Sequence, residues 1–399
     1  MNNGWPRKTL GEICGFVRGP FGGSLKKAVF VSDGFAVYEQ QHAIYNQFED
    51  IRYFIDDEKF REMQRFELRP NDLIMSCSGT MGRVAIVPQS IRRGIINQAL
   101  LKLTPSKAVS PEFLKYWMDS TNFQDSLKEQ SGGAAIQNVA SVGILKEILI
   151  PLPPLPEQRR IVGILDEAFD GIATAKANAE KNLQNARALF ESHLQAVFTQ
   201  RGEGWVEKRL EEIANVLGRG KSRHRPRNEP KLYGGKYPFI QTGDVRNAGL
   251  IIESHSQTYS EMGLAQSKLW PKGTVCITIA ANIAETAILG FDACIPDSII
   301  GVVVDEAKAD NKFLLYLLRS FKVHLQAQGK GSAQDNINMG TFENQTFPFP
   351  SLSNQQKIVK TLDELADETQ RLATIYQRKL AALDELKKSL LHQAFSGNL

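Results

Sequence analysis

The sequence of 399 residues is poor in the features that disulfides, metal sites and membrane spans require. Its four cysteines, Cys14, Cys77, Cys276 and Cys294, are widely spaced, with no CxxC pair and no histidine cluster beside them. No apolar run reaches the roughly 18 residues of a membrane helix, and no apolar segment follows the basic residues of the N-terminus. We therefore expect no disulfide, no metal site, no membrane contact and a cytoplasmic location.

Charge of one sign is not in excess. The chain has 48 Lys and Arg against 44 Asp and Glu, a formal net charge of +4. So small an excess does not by itself indicate a nucleic-acid-binding protein, and the case for one depends on where the basic residues lie. The length is typical of two or three domains.

Catalytic motifs are also lacking. Residues 296–308 contain a carboxylate, carboxylate and lysine set like that of many nucleases, but the repeat described below places Asn97 where the first carboxylate would be. Residues 218–222 resemble part of a phosphate-binding loop, whose leading glycine would fall at Asn215. No glycine-rich adenosylmethionine turn or acidic-Pro-Pro-aromatic motif occurs, so we predict no catalytic residue.

The sequence does contain an internal repeat of about half its length. GWPRKTLGEI at Gly4 to Ile13 recurs as GWVEKRLEEI at Gly204 to Ile213, an offset of 200. Later in each half the offset becomes 197, so that Pro151 matches Pro348. A repeat this long indicates a duplicated domain with its helix, since solenoid units are far shorter.

Each half closes with the periodicity of a long helix. Apolar or small residues recur in alternating steps of four and three through Pro156 to Gln200 and again through Ser353 to Leu399. Both series contain one extra step of four at the same place, which predicts helices of matched length that pair along a seam. Two unrelated surface helices are the alternative. The predicted seam residues are Ile161, Leu165, Ile172, Leu183, Phe190, Leu362, Leu365, Leu372, Tyr376 and Leu383.

The remainder of each half is of mixed character. Short apolar runs predict strands at 84–87, 95–103, 274–279 and 299–304, and amphipathic stretches predict helices at 111–130 and 310–328. Proline clusters at 151–156 and 347–351 then end each domain. We expect an α+β protein with domains at 1–152 and 203–350, each followed by a long helix, at 153–202 and 351–399.

The strongest binding signal is a pair of basic loops at matched positions. Gly218 to Lys236 carries seven basic side chains against one acid, and Arg18 to Lys27 carries three against none. Clustered Arg and Lys in glycine-containing loops suit phosphate contact and guanine readout, while a solvated basic loop is the alternative. With two small polar runs nearby, the candidate DNA-binding residues are Arg18, Lys26, Lys27, Ser76, Ser78, Thr80, Arg83, Arg219, Lys221, Arg223, His224, Arg225, Arg227, Thr242, Asp244 and Arg246.

Duplication suggests a mechanism. Two reading domains on a rigid spacer would contact two separated half-sites on one face of double-stranded DNA. Because the two readers differ in sequence, we expect the target to be bipartite and asymmetric.

Four segments resemble those of a known family. They are PLPPLPEQRRIVGILDE at Pro151 to Glu167, its echo SLSNQQKIVKTLDELAD at Ser351 to Asp367, GPFGGSLKK at Gly19 to Lys27 and KYPFIQTGDV at Lys236 to Val245. Over its whole length the chain resembles the specificity subunit of type I restriction-modification systems. The echo departs from the pattern because it has SLSNQQ in place of PPLPEQ.

The resemblance implies a chain with no activity of its own. It implies two target recognition domains separated by two long conserved helices that pair as an antiparallel coiled coil, with pseudo-two-fold symmetry. It also implies two methylation subunits that bind S-adenosylmethionine, one or two restriction subunits that use ATP and magnesium, and no cofactor on this chain. The alternatives are the specificity chain of a methylation-only system, a sequence-nonspecific coiled-coil scaffold, and an enzyme with an unrecognised site.

Overall fold

The computed structural model describes residues 4–129, 142–224, 226–280, 283–329, 340, 342 and 345–399, which form two compact units. Unit 1 comprises Met1–Glu180 and Arg378–Leu399, and unit 2 comprises Lys181–Gln377. Each unit therefore contains one mixed domain together with part of each long helix.

Unit 1 begins with a strand and a capped helical turn and continues through two sheets to the first long helix. Its elements are β1 (Arg7–Thr9), α1 (Leu10–Ile13), β2 (Cys14–Arg18), β3 (Phe30–Val31), β4 (Phe35–Tyr38), α2 (Gln40–Tyr45), β5 (Tyr53–Ile55), α3 (Asp57–Glu62), β6 (Leu73–Ser76), β7 (Val84–Ile86), β8 (Gly94–Ile96), β9 (Leu100–Pro105), α4 (Pro111–Asp119), α5 (Thr121–Glu129), α6 (Val142–Lys146), β10 (Leu149–Pro151) and α7 (Leu155–Thr199).

Two four-stranded sheets form the body of unit 1. The first has the antiparallel order β2-β9-β6-β7, and the second has the order β3-β5-β4-β8, in which β4 and β8 are parallel. Side chains alternate along β6, so that Leu73 and Met75 enter the core with α4 while Ile74 enters the core with Ala36 and Ile96 of the second sheet. The first sheet therefore lies between α4 and the second sheet.

Unit 2 follows a similar order from the end of α7 onward, with some strands added and others missing. Its elements are β11 (Val206–Arg209), α8 (Leu210–Ile213), β12 (Ala214–Arg219), β13 (Tyr233–Phe239), α9 (Thr242–Asn247), β14 (Ile251–Ile252), β15 (Gln257–Tyr259), α10 (Glu261–Ala265), β16 (Leu269–Trp270), β17 (Val275–Thr278), β18 (Thr286–Leu289), β19 (Ala293–Cys294), β20 (Ile299–Val304), α11 (Asn311–Ser320), α12 (Lys322–Gly329), β21 (Thr346–Phe349) and α13 (Leu352–Ser396).

The first sheet of unit 1 recurs strand by strand in unit 2, whereas the second sheets share three strands, β5, β4 and β8 matching β15, β13 and β19. The order β12-β20-β17-β18 repeats β2-β9-β6-β7, with β14 added at the edge, and the second sheet has the order β15-β13-β19-β16. A two-stranded antiparallel pair closes each domain, β1 with β10 and β11 with β21. The duplication seen in the sequence is therefore a duplication of the fold.

Two expected elements of unit 1 are interrupted, and the single-element predictions for them were wrong. Residues 95–103 form β8 and β9 in different sheets, because the Asn97 side chain accepts the Ala99 N–H at 3.0 Å and closes a turn. Residues 111–130 contain α4 and α5, separated at Ser120, whose backbone is extended. Residues 310–328 are likewise divided, between α11 and α12 at Phe321.

Segments of the two 45-residue helices α7 and α13 pack together in each unit. In unit 1, Lys176 of α7 pairs with Asp384 of α13 at 2.5 Å, and Arg160 donates to the Leu399 carbonyl at 2.8 Å. Residue numbers rise along α7 as they fall along the α13 segment that it contacts, so the two helices are antiparallel. In unit 2, Phe198 near the end of α7 shares a core with Leu362 near the start of α13.

The predicted seam residues are all at least partly buried. Ile161, Leu165 and Leu362 are fully buried and Ile172 is nearly so. The remaining seam residues are half-buried, namely Leu183, Phe190, Leu365, Leu372, Tyr376 and Leu383. The four cysteines are free and buried, and no helix in the described part of the chain is long and apolar enough to cross a bilayer.

Candidate nucleic-acid interface

The basic loop of unit 1, residues 18–27, leaves the first sheet at the end of β2. Gly19 begins it, donating its N–H to the Leu100 carbonyl at 2.9 Å. A Cβ on Gly19 would lie 1.8 Å from the Asn97 carbonyl oxygen, so only glycine fits this approach. Pro20 is buried, whereas Lys26 and Lys27 are exposed to solvent.

The polar run at residues 76–83 leaves the same sheet beside this loop. The ends of β2 and β6 are paired with neighbouring residues of β9, since Arg18 is opposite Leu101 and Ser76 is opposite Leu100. The guanidinium of Arg18 lies beside the Cys77 thiol, whose pKa burial raises to about 11 although Arg18 opposes the shift. The structure thus brings together two segments that are about 60 positions apart in sequence.

Ser76 itself is a structural residue. It is buried, its hydroxyl donates to the Thr80 carbonyl at 2.5 Å, and it accepts the Arg83 N–H at 3.0 Å. Ser76 is therefore poorly placed to contact DNA, because its hydrogen-bonding groups hold the turn. Ser78 is half-buried and donates to Gln40, while the side chains of Thr80 and Arg83 are exposed.

An open cleft of about 600 Å³ lies next to the unit 1 loop. Arg18, Phe21, Arg65 and Gln98 are among the residues that line it. Its acid, Glu62, is paired with Lys59 at 2.8 Å, which offsets the charge of that carboxylate. Phe21, Arg65 and Gln98 are not among the contacts predicted from the sequence, because none of them belongs to a cluster of like residues.

The basic loop of unit 2 leaves its sheet at the same place, after β12. Gly220 donates to the Ile299 carbonyl at 2.9 Å and, like Gly19, has no room for a side chain. Opposite strands pair Arg219 with Ile300 just as they pair Arg18 with Leu101. This strand register makes Asp297 the counterpart of Gln98. The sequence repeat had aligned Asp297 with Asn97, one position earlier.

Acids from elsewhere in unit 2 neutralise part of this loop. Arg219 donates through Nε to the Asp297 carbonyl at 2.7 Å, and Arg227 pairs with the Asp297 carboxylate at 2.6 Å. Lys236 pairs with Glu261 at 3.0 Å, a hydrogen bond that raises the pKa of the lysine. The charge of +6 counted along the loop therefore overstates what the folded loop presents.

The other predicted residues of unit 2 lie in and around a second cleft. Lys221 and Arg223 are exposed, and the His224 N–H donates to Gln266 at 3.0 Å. Arg227 and Thr242 line a cleft of about 350 Å³. Arg225 lies outside the described residues.

Asp244 has a structural role. Its carboxylate accepts the Gln241 N–H at 2.8 Å and so caps α9, which leaves it poorly placed for DNA. Arg246, on the same helix, is exposed.

The residues that resembled nuclease and nucleotide motifs have other partners. Asp297 pairs with Arg227, and Lys308 pairs with Asp305 at 3.1 Å. Residues 214–219 form β12, which continues into the basic loop where a phosphate-binding loop would require a helix. In the described part of the chain, no three His, Cys, Asp or Glu residues are grouped as metal ligands would be.

Each domain is joined to the start of a long helix by a buried glutamine. Gln158 accepts the Ser110 N–H at 2.8 Å and donates to the carbonyls of Ala108 and Pro153. Gln355, 197 residues later, repeats all three bonds with Asp310, Lys308 and Pro350. The departure SLSNQQ thus keeps the glutamine on which this junction depends.

A tyrosine and a phenylalanine strengthen the same junctions. Tyr116 donates to Asp166 in unit 1, and Tyr316 donates to Asp363 at 2.7 Å in unit 2. Burial and the neighbouring carboxylate raise the pKa of both phenols, so each stays a hydrogen-bond donor. The rings of Phe113 and Phe395 are 5.2 Å apart in unit 1, and Phe313 meets Phe198 at 5.5 Å in unit 2.

A family profile described as the type I restriction modification DNA specificity domain matches residues 2–184 and 202–378, that is, both halves. The chain belongs to this family. It is a non-catalytic, DNA sequence-recognition subunit of a type I restriction-modification system, a class of subunit that carries no cofactor itself.

One curated relative and two solved structures match it along its whole length. The StySPI specificity subunit of Salmonella potsdam is 20% identical, with 100% of this chain and 90% of the relative covered. Among solved structures, the HsdS subunit from Thermoanaerobacter tengcongensis superposes with a TM-score of 0.68 at 21% identity, covering 100% and 98% of the two chains. A chain from a study of type I R-M complex assembly and conformational transition gives a TM-score of 0.80 at 21% identity, covering 100% and 99%. At these identities the superpositions establish the fold alone.

Proposed function

We propose that the two domains, 1–152 and 203–350, each read one half of an asymmetric bipartite DNA target, and that the helices 153–202 and 351–399 set the gap between the halves. The observation that carries this proposal is that each unit has a basic loop at the equivalent edge of its first sheet. The loops differ in every position after the shared glycine, Gly19 or Gly220, and the clefts beside them have different linings. Two readers with different surfaces recognise different sequences.

In this proposal the chain assembles with two methylation subunits and one or two restriction subunits. S-adenosylmethionine, ATP and magnesium belong to those partners. A duplicated fold offers an equivalent surface twice, which suits two copies of the same methylation subunit. The exposed sides of α7 and α13 are the proposed docking surfaces. Leu189 and Leu386, repeat counterparts at an offset of 197, are both about half exposed there.

The test is to co-express the chain with its methylation subunit and map every methylated adenine in the host genome by single-molecule sequencing. We expect one motif with two defined blocks around a fixed unread gap. A complex that forms and binds DNA but adds no methylation at a defined motif would favour the nonspecific scaffold instead.

Individual loop residues are tested by salt dependence. Lys221→Ala and Arg223→Ala should each weaken cognate binding and reduce the slope of log K against log salt by about 1, because each removes one phosphate contact. Lys357→Ala, an exposed lysine on α13, is the matched control and should leave the slope unchanged. If the slope of log K against log salt were the same in all three variants, the loop would not contact DNA phosphates.

A further inference from the structure

Phe21 is an exposed aromatic ring at the tip of the unit 1 loop. Its side chain is 92% exposed, the highest value for a large apolar residue in the described part of the chain. Single exposed apolar residues are common on protein surfaces, so exposure alone indicates nothing. The way in which the loop holds this ring is more informative.

The backbone on both sides of Phe21 is fixed. On one side, Gly19 packs against the Asn97 carbonyl and Pro20 is buried. On the other side, the Phe21 carbonyl accepts the Ser24 N–H at 2.9 Å, which closes a short 3-10 helix. The backbone that carries the ring is thus anchored on both sides, and the ring itself is exposed to solvent.

The surroundings of the ring are cationic. Arg18, Lys26 and Lys27 share its loop, which contains no acid, and Arg65 lines the adjoining cleft. Glu62, the acid of that cleft, is paired with Lys59. An apolar ring set among cations fits a polyanion whose interior is apolar and stacked, which describes duplex DNA.

We propose that Phe21 inserts as a wedge between two base pairs of the half-site read by unit 1, while the neighbouring cations hold the phosphates on either side. Apolar side chains used in this way unstack one step and kink the duplex, so they select steps that deform easily. The equivalent position of unit 2, two residues after Gly220, is Ser222, so the loop of unit 2 carries no aromatic ring at this position. The inference rests on the proposed function and adds that the two halves are read by different means.

The experiment uses the complex of this chain with its methylation subunits and the cognate duplex found by methylation mapping. 2-Aminopurine, whose fluorescence rises on unstacking, is placed at successive positions in both half-sites without S-adenosylmethionine. For the wild type we expect a rise at one step of one half-site, separate from the adenine that is methylated.

Phe21→Ala should abolish that rise and weaken cognate binding about tenfold, in line with the effect of removing one stacking aromatic. Its salt slope should not change, because no phosphate contact is lost. Phe21→Trp should retain both the rise and the affinity. Phe21→Lys should bind as weakly as Phe21→Ala, whereas a loop that acts through charge alone would bind more tightly. Tyr45→Ala removes a ring that is 73% exposed in the same domain and should change neither readout.

The outcomes separate this inference from the proposed function. A wild-type complex that shows no preference for the mapped duplex contradicts the proposed function. Specific wild-type binding with an unchanged rise in Phe21→Ala contradicts the wedge alone. Loss of the methylation subunit from the Phe21→Ala complex on gel filtration also overturns the wedge, since it would assign the ring to a protein contact.

Discussion

Gln158 and Gln355 connect the beginning of each long helix to the domain before it. Each is fully buried and uses its amide for one acceptor and two donor bonds to main-chain groups. A buried amide that satisfies three backbone groups is costly to remove, because every group left behind loses its partner without regaining water. These two residues therefore fix where each helix leaves its domain.

Gln355→Ala should destabilise unit 2 by about 3 kcal/mol, because it leaves the Asp310 N–H and the Lys308 and Pro350 carbonyls unpaired. Native-state hydrogen exchange measures this as faster exchange of the amides of α11. Gln356→Ala, the exposed neighbour, is the matched control. Exchange in α4 of unit 1 should stay at the wild-type rate, since Gln158 is intact. Equal α11 exchange in the two variants would contradict this role.

At the scale of elements, the aromatic contact between each domain and the long helices occurs in both units. The phenylalanine of that contact, however, comes from a different position in each unit. Tyr116 lies edge-on to Phe169 at 5.4 Å, and Tyr316 lies 6.1 Å from Phe190. Phe190 is not the repeat counterpart of Phe169, however, because an offset of 197 leads from Phe169 to Ala366. Each unit thus has one phenylalanine beside its tyrosine, supplied from a different position of the repeat.

Phe190→Ala should therefore lower the free energy of unfolding of unit 2 by about 2 kcal/mol, less than for a fully buried ring. Adding Ala366→Phe should restore at least half of this loss. Ala366 and Phe190 line the same cavity of about 360 Å³, which leaves space for the second ring. The free energy of unfolding of unit 2 is measured by urea unfolding, with hydrogen exchange of the α11 amides as the probe. Leu189→Ala, at an exposed position, is the control. If the double variant were no more stable than Phe190→Ala, a phenylalanine at position 366 could not replace Phe190, and this interpretation would be wrong.

At the scale of the whole molecule, the chain divides twice within its long helices. The boundaries between the units fall after Glu180 in α7 and after Gln377 in α13. Both boundaries lie far from the basic loops in sequence. Residues inserted there lengthen the helices without touching either proposed reader.

Inserting seven residues at both boundaries should lengthen the unread gap of the target and leave both half-sites unchanged. Seven helical residues add about 10 Å, which corresponds to about three base pairs. Methylation mapping would show the new gap directly. The same insertion in α7 alone should abolish methylation, because the seams of the two helices no longer match. If the double insertion left the gap unchanged, the helices would not act as the spacer between the half-sites.

Much of the architecture was predictable from the sequence, and much of the interface was not. The repeat and the long helices depend on spacing along the chain, which a sequence shows directly. By contrast, Ser76 and Arg83 look alike as polar residues of one turn, yet one is buried and the other exposed. Burial depends on which strands meet, and nothing in a local pattern reports it.

The contrast has a physical cause. Helix periodicity and duplication arise from short-range geometry that each segment carries within itself, so the sequence alone determined the two halves, the paired helices and the place of the basic loops. The charge that those loops present was decided by the tertiary structure. Asp297 is 70 positions from Arg227 and meets it only when β20 aligns beside β12. The exposure of Phe21 likewise depends on folding, because the loop that carries it is anchored only once Gly19 lies against the Asn97 carbonyl and Pro20 is buried.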